Sequence, residues 1–126
     1  MHRSRLAGFI IDCKTEDLEG AARFWSAALG YELRSKSEEP SPIYRCLESE
    51  SIGLHIEVQQ VKHDSRVHID IETDDVEAEA QRMEALGAKR IGKVHTWIVM
   101  EAPTGQRFCL VRPQNKQFAE TANVWK

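Results

Sequence analysis

Apolar and polar positions along the chain follow strand-like and helix-like patterns in an order that occurs twice. In the first half, an apolar run at residues 6–13 predicts a strand, and helical spacing over residues 18–29 predicts a helix that ends at Gly30. A loop with two prolines is predicted at residues 38–42. The other strands of this half are predicted at residues 31–36, 43–47 and 52–61.

The second half repeats this order. Residues 67–72 predict a strand, residues 74–75 can cap the helix that follows, and Gly87 ends that helix. Its carboxylates at residues 74–79 are expected to favour the helix dipole, which is a stabilising role and not a catalytic one. The buried stripe of this helix is predicted to comprise Val76, Ala80, Met83 and Leu86. Three more strands are predicted at residues 89–94, 96–100 and 107–112.

The chain is therefore predicted to hold two copies of a strand-helix-strand-strand-strand unit. Two copies are too few for a solenoid, so we expect the copies to pair their sheets around a shared cleft. An unrelated α+β sandwich with coincidental symmetry is the alternative.

The strand at residues 66–72 carries the strongest candidate chemistry. Its strict alternation puts His68, Asp70 and Glu72 on one face and Val67, Ile69 and Ile71 on the other. This pattern is typical of a half-buried strand whose apolar face is covered by helices and whose polar face borders a cavity. An imidazole beside two carboxylates can bind a metal, a proton or a polar ligand.

Composition narrows the class of protein. At 126 residues the chain is predicted to form one domain with its own core. The three widely spaced cysteines are an odd number, and no signal-like or membrane-length apolar run occurs, so we expect a reduced cytoplasmic protein without a disulfide or a membrane span. The formal charge of −3 gives no general attraction to phosphates, so nucleic acid is not an expected partner.

Several short motifs follow one another in an order that resembles a known family. In the second half they are RVHIDI at residues 66–71, EALGA at 84–88, Trp97, and PTGQRFC at 103–109. In the first half they are DC at residues 12–13, FW at 24–25 and LGY at 29–31. Taken together, residues 6–113 resemble a glyoxalase-like domain of the vicinal oxygen chelate superfamily.

The resemblance implies a fold and a mode of assembly. Paired βαβββ modules, at about residues 5–61 and 66–112, would form a cupped mixed sheet with helices on its outer face, in a single domain of the α+β class. A small-molecule ligand and a homodimer are expected. Residues 113–126 would be a tail, in which Phe118, Val124 and Trp125 are expected to dock on a sheet edge or on a partner subunit.

The resemblance also implies where a divalent metal would be held. In metal-using members, the ligands come from the first and last strands of each module. His68 matches the first-strand ligand of the second module. Its counterpart in the first module falls near Ile10, which cannot coordinate a metal, and Asp12 on the same face matches Asp70 instead.

The last strands of the two modules supply the remaining metal positions. Glu57 or Gln59 could fill the position in the first module, whereas Cys109 stands where metal enzymes of this family usually carry glutamate. Cysteine suits zinc but is a poor ligand for magnesium, manganese or nickel. A divalent cofactor would therefore use His68, Glu57 and Cys109 in an incomplete centre. Otherwise His68 is a hydrogen-bonded cleft histidine and Cys109 a small buried hydrophobe.

Without a metal, His68 could act as a general base, because histidine titrates near neutral pH. Glu57 and Asp70 are its predicted catalytic partners. Such a group would support proton abstraction beside a carbonyl, or an isomerase or dehydratase step.

Ligand contacts are predicted at five further positions. They are His55, Gln59, Trp97, Arg66 and Asp12. The Trp97 ring could stack on a planar ligand. Arg66 and Arg45 could meet an anion at the rim of the cleft, or they could be solvated surface arginines.

Two functional hypotheses follow from these residues. The first is a glyoxalase-like enzyme of the lyase or isomerase type that acts on a small polar or aromatic metabolite, with His68 as acid/base or metal ligand. The second is a protein of the bleomycin-resistance type, which would sequester a ligand without turnover. The clustered polar residues favour the first hypothesis, and the missing metal ligands favour the second.

Overall fold

The computed structural model describes residues 1–37 and 41–126, so the predicted loop at residues 38–42 lies partly outside the described residues. The chain forms two compact units. The first unit comprises Phe9–Val67, and the second unit comprises His68–Lys126 together with Met1–Gly8. Two strands, β1 (His2–Lys14) and β4 (Arg66–Thr73), have residues in both units.

Up to residue 111 the described elements follow the predicted order, except for the strand predicted at residues 31–36. A 3-10 turn at residues 50–52 and a short helix and strand in the tail were not predicted. After β1 come α1 (Leu18–Leu29), β2 (Tyr44–Leu47), a 3-10 turn (Glu50–Ile52), β3 (His55–Val61), β4, α2 (Val76–Ala85), β5 (Lys89–Val94), β6 (Trp97–Glu101), β7 (Arg107–Val111), α3 (Phe118–Thr121) and β8 (Asn123–Trp125). Strands β4 and β7 are parallel, whereas β2 with β3, and β6 with both β5 and β7, are antiparallel. The predicted α+β class with a mixed sheet is confirmed.

The first unit packs one side of its sheet against α1. The helix begins after Asp17, whose carboxylate accepts a hydrogen bond from the Gly20 N–H at 3.0 Å, and it ends at Gly30, whose φ is 77°. Its core is formed by Ile11, Leu47, Ile56, Leu18, Ala22 and Val58. Because side chains alternate along a strand, the residues flanking Ile56 and Val58 on β3 point away from α1.

The predicted strand at residues 31–36 is wrong in extent. Only Leu33 forms a bridge, which lies opposite Leu47. The carbonyl oxygen of Arg34 accepts a hydrogen bond from the Arg45 guanidinium at 2.9 Å. Since a side chain occupies this acceptor, regular strand pairing does not extend beyond the bridge.

The second unit packs its sheet against α2. Its strands are hydrogen-bonded in the order β8-β1-β4-β7-β6-β5. Asp75 caps α2, because its carboxylate accepts a hydrogen bond from the Ala78 N–H at 3.0 Å. The core contains Ala80, Met83, Ile98, Met100 and Leu110, with Ile71 and Phe108 packed against it. Alternation then places His68, Asp70 and Cys109 on the side of the sheet opposite α2.

The predicted coverage of apolar residues by helices holds only in part. On β4, Ile71 packs against the α2 core, but Ile69 and Val67 are exposed. Leu86 was expected in the buried stripe of α2 and is also exposed, because the helix ends at Ala85 and Leu86 is its C-cap. The apolar residues on the α2 side of β4 are therefore buried only where α2 is long enough to cover them.

The C-terminal tail docks on a sheet edge of the second unit, as predicted. Strand β8 pairs with β1, with Trp125 opposite His2, and the Trp125 indole N–H donates to Ser4 Oγ at 2.8 Å. Phe118 is buried, whereas Val124 stays exposed.

Glu72 fixes the chain where it enters this tail. Its Oε1 accepts hydrogen bonds from the backbone N–H of Gln114 at 2.5 Å and of Asn115 at 3.0 Å, and Arg5 Nε lies 3.5 Å from Oε2. The Glu72 side chain is fully buried. The carboxylate that shares a strand face with His68 and Asp70 therefore holds the tail and is not a ligand group.

A second buried carboxylate, Glu79, lies in the first turn of α2, where the sequence predicted stabilising carboxylates. Its side chain is 0 % exposed, with His2 Nε2 at 2.7 Å from Oε1 and Arg82 Nε at 2.8 Å. Burial alone would raise the pKa of Glu79, but hydrogen bonds with Arg82, Ser4 and His2 outweigh it and hold the pKa below its ordinary value. Glu79 is therefore a buried anchor, which stabilises the fold through contacts that the sequence did not predict.

Within residues 1–37 and 41–126, no helix has both the length and the apolar character needed to cross a bilayer. The three cysteines, Cys13, Cys46 and Cys109, are free thiols. Burial raises the pKa of the Cys13 thiol, with a hydrogen bond to Trp25 opposing this shift and the Asp12 charge adding to it.

Candidate functional site

The second unit brings His68, Asp70 and Cys109 together. His68 and Asp70 are two residues apart on β4, so both side chains point to the face opposite α2. Strand β7 runs parallel to β4 with Cys109 opposite Asp70. His68 Nε2 lies 3.6 Å from Asp70 Oδ1, and the possible ligand atoms of all three residues lie within 4.8 Å of one another. We call these three residues the β4 cluster.

Trp97 lies on the same side of the second unit's sheet as the β4 cluster. It is next to Ile98, which is buried in the α2 core, so alternation turns the Trp97 side chain the other way. The ring is partly buried, and its centroid lies 5.6 Å from that of His95. Val99, two residues further on β6, pairs with Cys109. This placement is compatible with the predicted stacking role.

The first unit holds a second group of the same chemical type, which we call the β3 cluster. It consists of Cys46 on β2 and of His55 and Glu57 on β3. Cys46 lies opposite Glu57 in the antiparallel register, with Sγ 3.5 Å from Glu57 Oε1. His55 Nε2 lies 3.1 Å from the same oxygen. The sequence singled out His55 and Glu57 but missed Cys46, because the only signal for it is the pairing register of two strands.

The other predicted ligand contacts of the first unit lie on three different strands, β3, β1 and β4. Gln59 shares the β3 face of Glu57 and pairs with Tyr44. Asp12 on β1 is buried, and its Oδ2 lies 3.7 Å from Arg66 Nε. Arg66 itself is exposed, so its guanidinium is partly neutralised by Asp12 while it remains accessible to solvent.

Arg45 does not occupy the rim position that the sequence offered for it. Its Nη1 lies 2.5 Å from Oε2 of Glu19 on α1, and its Nη2 donates to the Arg34 carbonyl. The Lys36 ammonium, with Arg45, lowers the pKa of the Glu19 carboxyl, although slight burial opposes this. Arg45 therefore ties β2 to α1.

The residues predicted as catalytic groups or metal ligands thus belong to two clusters, one in each unit. His68 and Cys109 lie together with Asp70 in the second unit, and Glu57 lies with His55 and Cys46 in the first. In its own unit His68 lies beside Asp70, one of the two carboxylates predicted as its catalytic partners.

The donors of the β4 cluster fit zinc better than the harder divalent metals. Tetrahedral zinc with Zn–N and Zn–O bonds of about 2.0–2.2 Å separates a nitrogen and an oxygen ligand by about 3.4 Å. The observed separation of His68 Nε2 and Asp70 Oδ1 is 3.6 Å. A cysteine sulfur as third donor favours Zn²⁺ over Mg²⁺ or Mn²⁺, which prefer oxygen ligands.

The second unit also has a cavity of about 860 Å³, which is separate from the β4 cluster. It is bordered by the first turn of α2, the β5–β6 hairpin and the end of β7, and its charged lining residues include Asp75, Glu77, Arg90, Lys93 and Arg112. None of the predicted site residues lines it. Glu77 and Arg90 pair at 2.6 Å. The candidate chemistry and this cavity are therefore separate features of the unit.

Solved structures share the fold at low sequence identity. A hypothetical protein, BH1468, from Bacillus halodurans C-125 is 14% identical, with a TM-score of 0.62 over 90% of this chain and 96% of that chain. An NAD-dependent benzaldehyde dehydrogenase from Legionella pneumophila is 11% identical, with a TM-score of 0.58 over 84% and 99%. A methylmalonyl-CoA epimerase in complex with methylmalonyl-CoA and NH4+ is 16% identical, with a TM-score of 0.56 over 90% and 98%.

Comparison with curated proteins gives no match. The glyoxalase-like domain family matches residues 8–111, which is most of the chain and includes both clusters. The match agrees with the observed order of elements and with the fold of the epimerase. The chain therefore belongs to the glyoxalase-like domain family.

Proposed function

We propose that the protein is a small-molecule enzyme of the isomerase or lyase type, which moves a proton at a carbon next to a carbonyl group. His68 is the acid/base in this proposal, and Asp70 positions its ring. The observation that carries the proposal is the His68–Asp70 pair, at 3.6 Å, on the sheet face that α2 leaves open.

The chemistry of the pair suits this reaction. Histidine exchanges protons near neutral pH, so one side chain can remove a proton and return it. A carboxylate beside the ring favours one ring orientation and compensates the charge that the imidazole gains. Both side chains are mostly buried, with exposures of 14% and 8%, so their interaction is less screened by water than a surface pair.

A relative of the same fold supports the reaction class. The epimerase is solved with methylmalonyl-CoA, and an epimerase inverts a stereocentre. We therefore propose substrates with an acidic C–H beside a ketone, aldehyde or thioester carbonyl.

Solvent deuterium exchange tests the proposal directly. The protein is incubated in D2O with a panel comprising a methylglyoxal hemithioacetal, an α-hydroxy ketone and methylmalonyl-CoA, and loss of the C–H signal is followed by NMR. We expect catalysed exchange for at least one compound, with a loss of about 10²–10⁴-fold in His68→Ala. His63→Ala is the matched control, because His63 is an exposed histidine between β3 and β4. Absence of exchange across the panel, or equal rates in His68→Ala and the wild type, would refute the proposal.

A non-catalytic binding function is the second candidate, and the placement of Trp97 favours it. A partly buried indole on the open face offers a stacking surface for a planar compound. Quenching of tryptophan fluorescence by bleomycin-like aromatic compounds should then be lost in Trp97→Leu. It should persist in Trp25→Phe, whose ring packs in the core of the first unit. Quenching of tryptophan fluorescence by such compounds, without catalysed deuterium exchange, would favour the binding function over the enzymatic one.

We also propose that the protein is a cytoplasmic homodimer. Members of this superfamily commonly dimerise, and three free thiols suit a reducing compartment. Light scattering coupled to gel filtration gives the assembly, and a monomer at micromolar concentration would contradict it.

A further inference from the structure

We propose that the first unit binds a zinc ion of its own through the β3 cluster, Cys46, His55 and Glu57. This site shares Glu57 with the ligand positions that the family resemblance implies, which lie on the first and last strands of each module, and it differs from them in its other two donors. Cys46 lies on β2, which is neither. The site is also independent of the proton chemistry proposed for His68, so either proposal can fail alone.

The spacing of the three donors matches tetrahedral zinc. With Zn–S of about 2.3 Å and Zn–N and Zn–O of about 2.0–2.2 Å, the N···O ligand separation is about 3.4 Å and the S···O separation about 3.6 Å. The corresponding distances are 3.1 Å from His55 Nε2 and 3.5 Å from Cys46 Sγ, both to Glu57 Oε1. All the donor atoms lie within 4.8 Å of one another, so an ion could be held with small side-chain adjustments.

The strands hold these donors in place. Ile56 and Val58, which alternate with His55 and Glu57, are buried in the core beneath α1. The turn before His55 is fixed by a hydrogen bond from Ser49 Oγ to the Leu54 carbonyl at 2.7 Å. The donor geometry is therefore set by the fold and would need little ordering when a metal binds.

Charge and burial also favour a soft divalent cation. A thiolate, a carboxylate and a neutral imidazole carry two negative charges, which Zn²⁺ balances. Cys46 is 2% exposed, whereas the side chains of His55 and Glu57 are 15% and 19% exposed, so the site is sheltered but open on one side. Arg45, the nearest cation along β2, points to Glu19 on α1 and does not occupy this face. Three protein donors leave a fourth position for water or a ligand.

Cobalt binding separates this site from the β4 cluster. In a His68→Ala/Cys109→Ser background, apo protein is titrated with Co²⁺ alone, and the thiolate-to-cobalt charge-transfer band is recorded. We expect about one equivalent of Co²⁺ with this band, displaced by Zn²⁺. Adding Cys46→Ser should abolish the band, whereas adding Cys13→Ser, a control at a thiol packed near α1, should leave it intact.

Cys46 is buried, so loss of the band in Cys46→Ser could also result from misfolding. A second pair of variants therefore tests the site at its other two donors. In the same background, His55→Ala and Glu57→Gln change partly exposed residues and should each weaken Zn²⁺ affinity at least tenfold in competition with a chromophoric chelator. Zn²⁺ should also raise the melting temperature of the unsubstituted background and not of these variants. A charge-transfer band that survives Cys46→Ser, or no metal binding in the background protein, would overturn the proposal.

Discussion

Replacing Glu79 by alanine should remove a buried electrostatic contact that joins α2 to β1. The Glu79 carboxylate is 0% exposed and receives two hydrogen bonds from Arg82, at 2.8 and 2.9 Å. His2 lies 2.7 Å from the same carboxylate. The substitution leaves two basic groups beside an empty, partly buried space.

The size of the effect follows from what each partner loses. Removing one member of a buried ion pair costs about 3–5 kcal/mol, because the remaining charge keeps its desolvation cost. Arg82 is 25% exposed and can turn to water, so the lower end of that range applies. We expect a loss of about 3 kcal/mol, equivalent to roughly 10 °C in melting temperature for a domain of this size.

Urea unfolding monitored by circular dichroism measures this loss. Glu77→Ala is the matched control on the same helix, because the Glu77 side chain is 61% exposed and pairs with Arg90 at the surface. Glu77→Ala is expected to lower the free energy of unfolding by less than about 1 kcal/mol. Equal destabilisation by the two substitutions, or a loss below about 1 kcal/mol for Glu79→Ala, would refute the assignment of Glu79 as a buried anchor.

The pH dependence gives an independent check on Glu79. Its pKa is lowered in the folded protein, so its stabilising contribution is fully present above the unfolded pKa of about 4.3 and is lost as pH falls through the folded value. The difference in unfolding free energy between the wild type and Glu79→Gln should therefore be largest near pH 6 and shrink toward pH 3. A difference that grows on acidification would contradict the sign of the shift.

Three further outcomes are expected. Glu72→Ala should cost about 3 kcal/mol, because it leaves two backbone N–H groups at the start of the tail without their acceptor, and limited proteolysis should then cut residues 113–126 faster. Gly30→Ala should cost about 1 kcal/mol in urea unfolding, since φ is 77° and an added Cβ would meet nothing within 4 Å; a much larger cost would indicate a steric clash. Cys13 should react slowly with iodoacetamide at pH 8 because its thiol pKa is raised, so Cys13→Ser should leave the initial rate of thiol labelling unchanged.

Predictions from local sequence patterns were correct where the structure depends on residues that are close together in the sequence. The placement of His68 and Asp70 on one strand face follows from the two-residue period, and the end of α1 at Gly30 follows from its left-handed conformation. The same reasoning failed at residues 31–36, whose apolar pattern is that of a strand. There the Arg45 guanidinium donates a hydrogen bond to the Arg34 carbonyl. The two residues are eleven positions apart, so a local pattern does not reveal this contact.

The sequence by itself determined the order of elements, the family, and which strands carry imidazole and carboxylate groups, because these depend on local periodicity and motif order. Only the tertiary structure decided which cysteine meets which histidine. Cys109 lies opposite Asp70 and Cys46 opposite Glu57 through strand registers that no local pattern encodes. It also decided that Glu72 and Glu79 are buried anchors, because burial depends on a distant tail and on the β1 edge that pack over them.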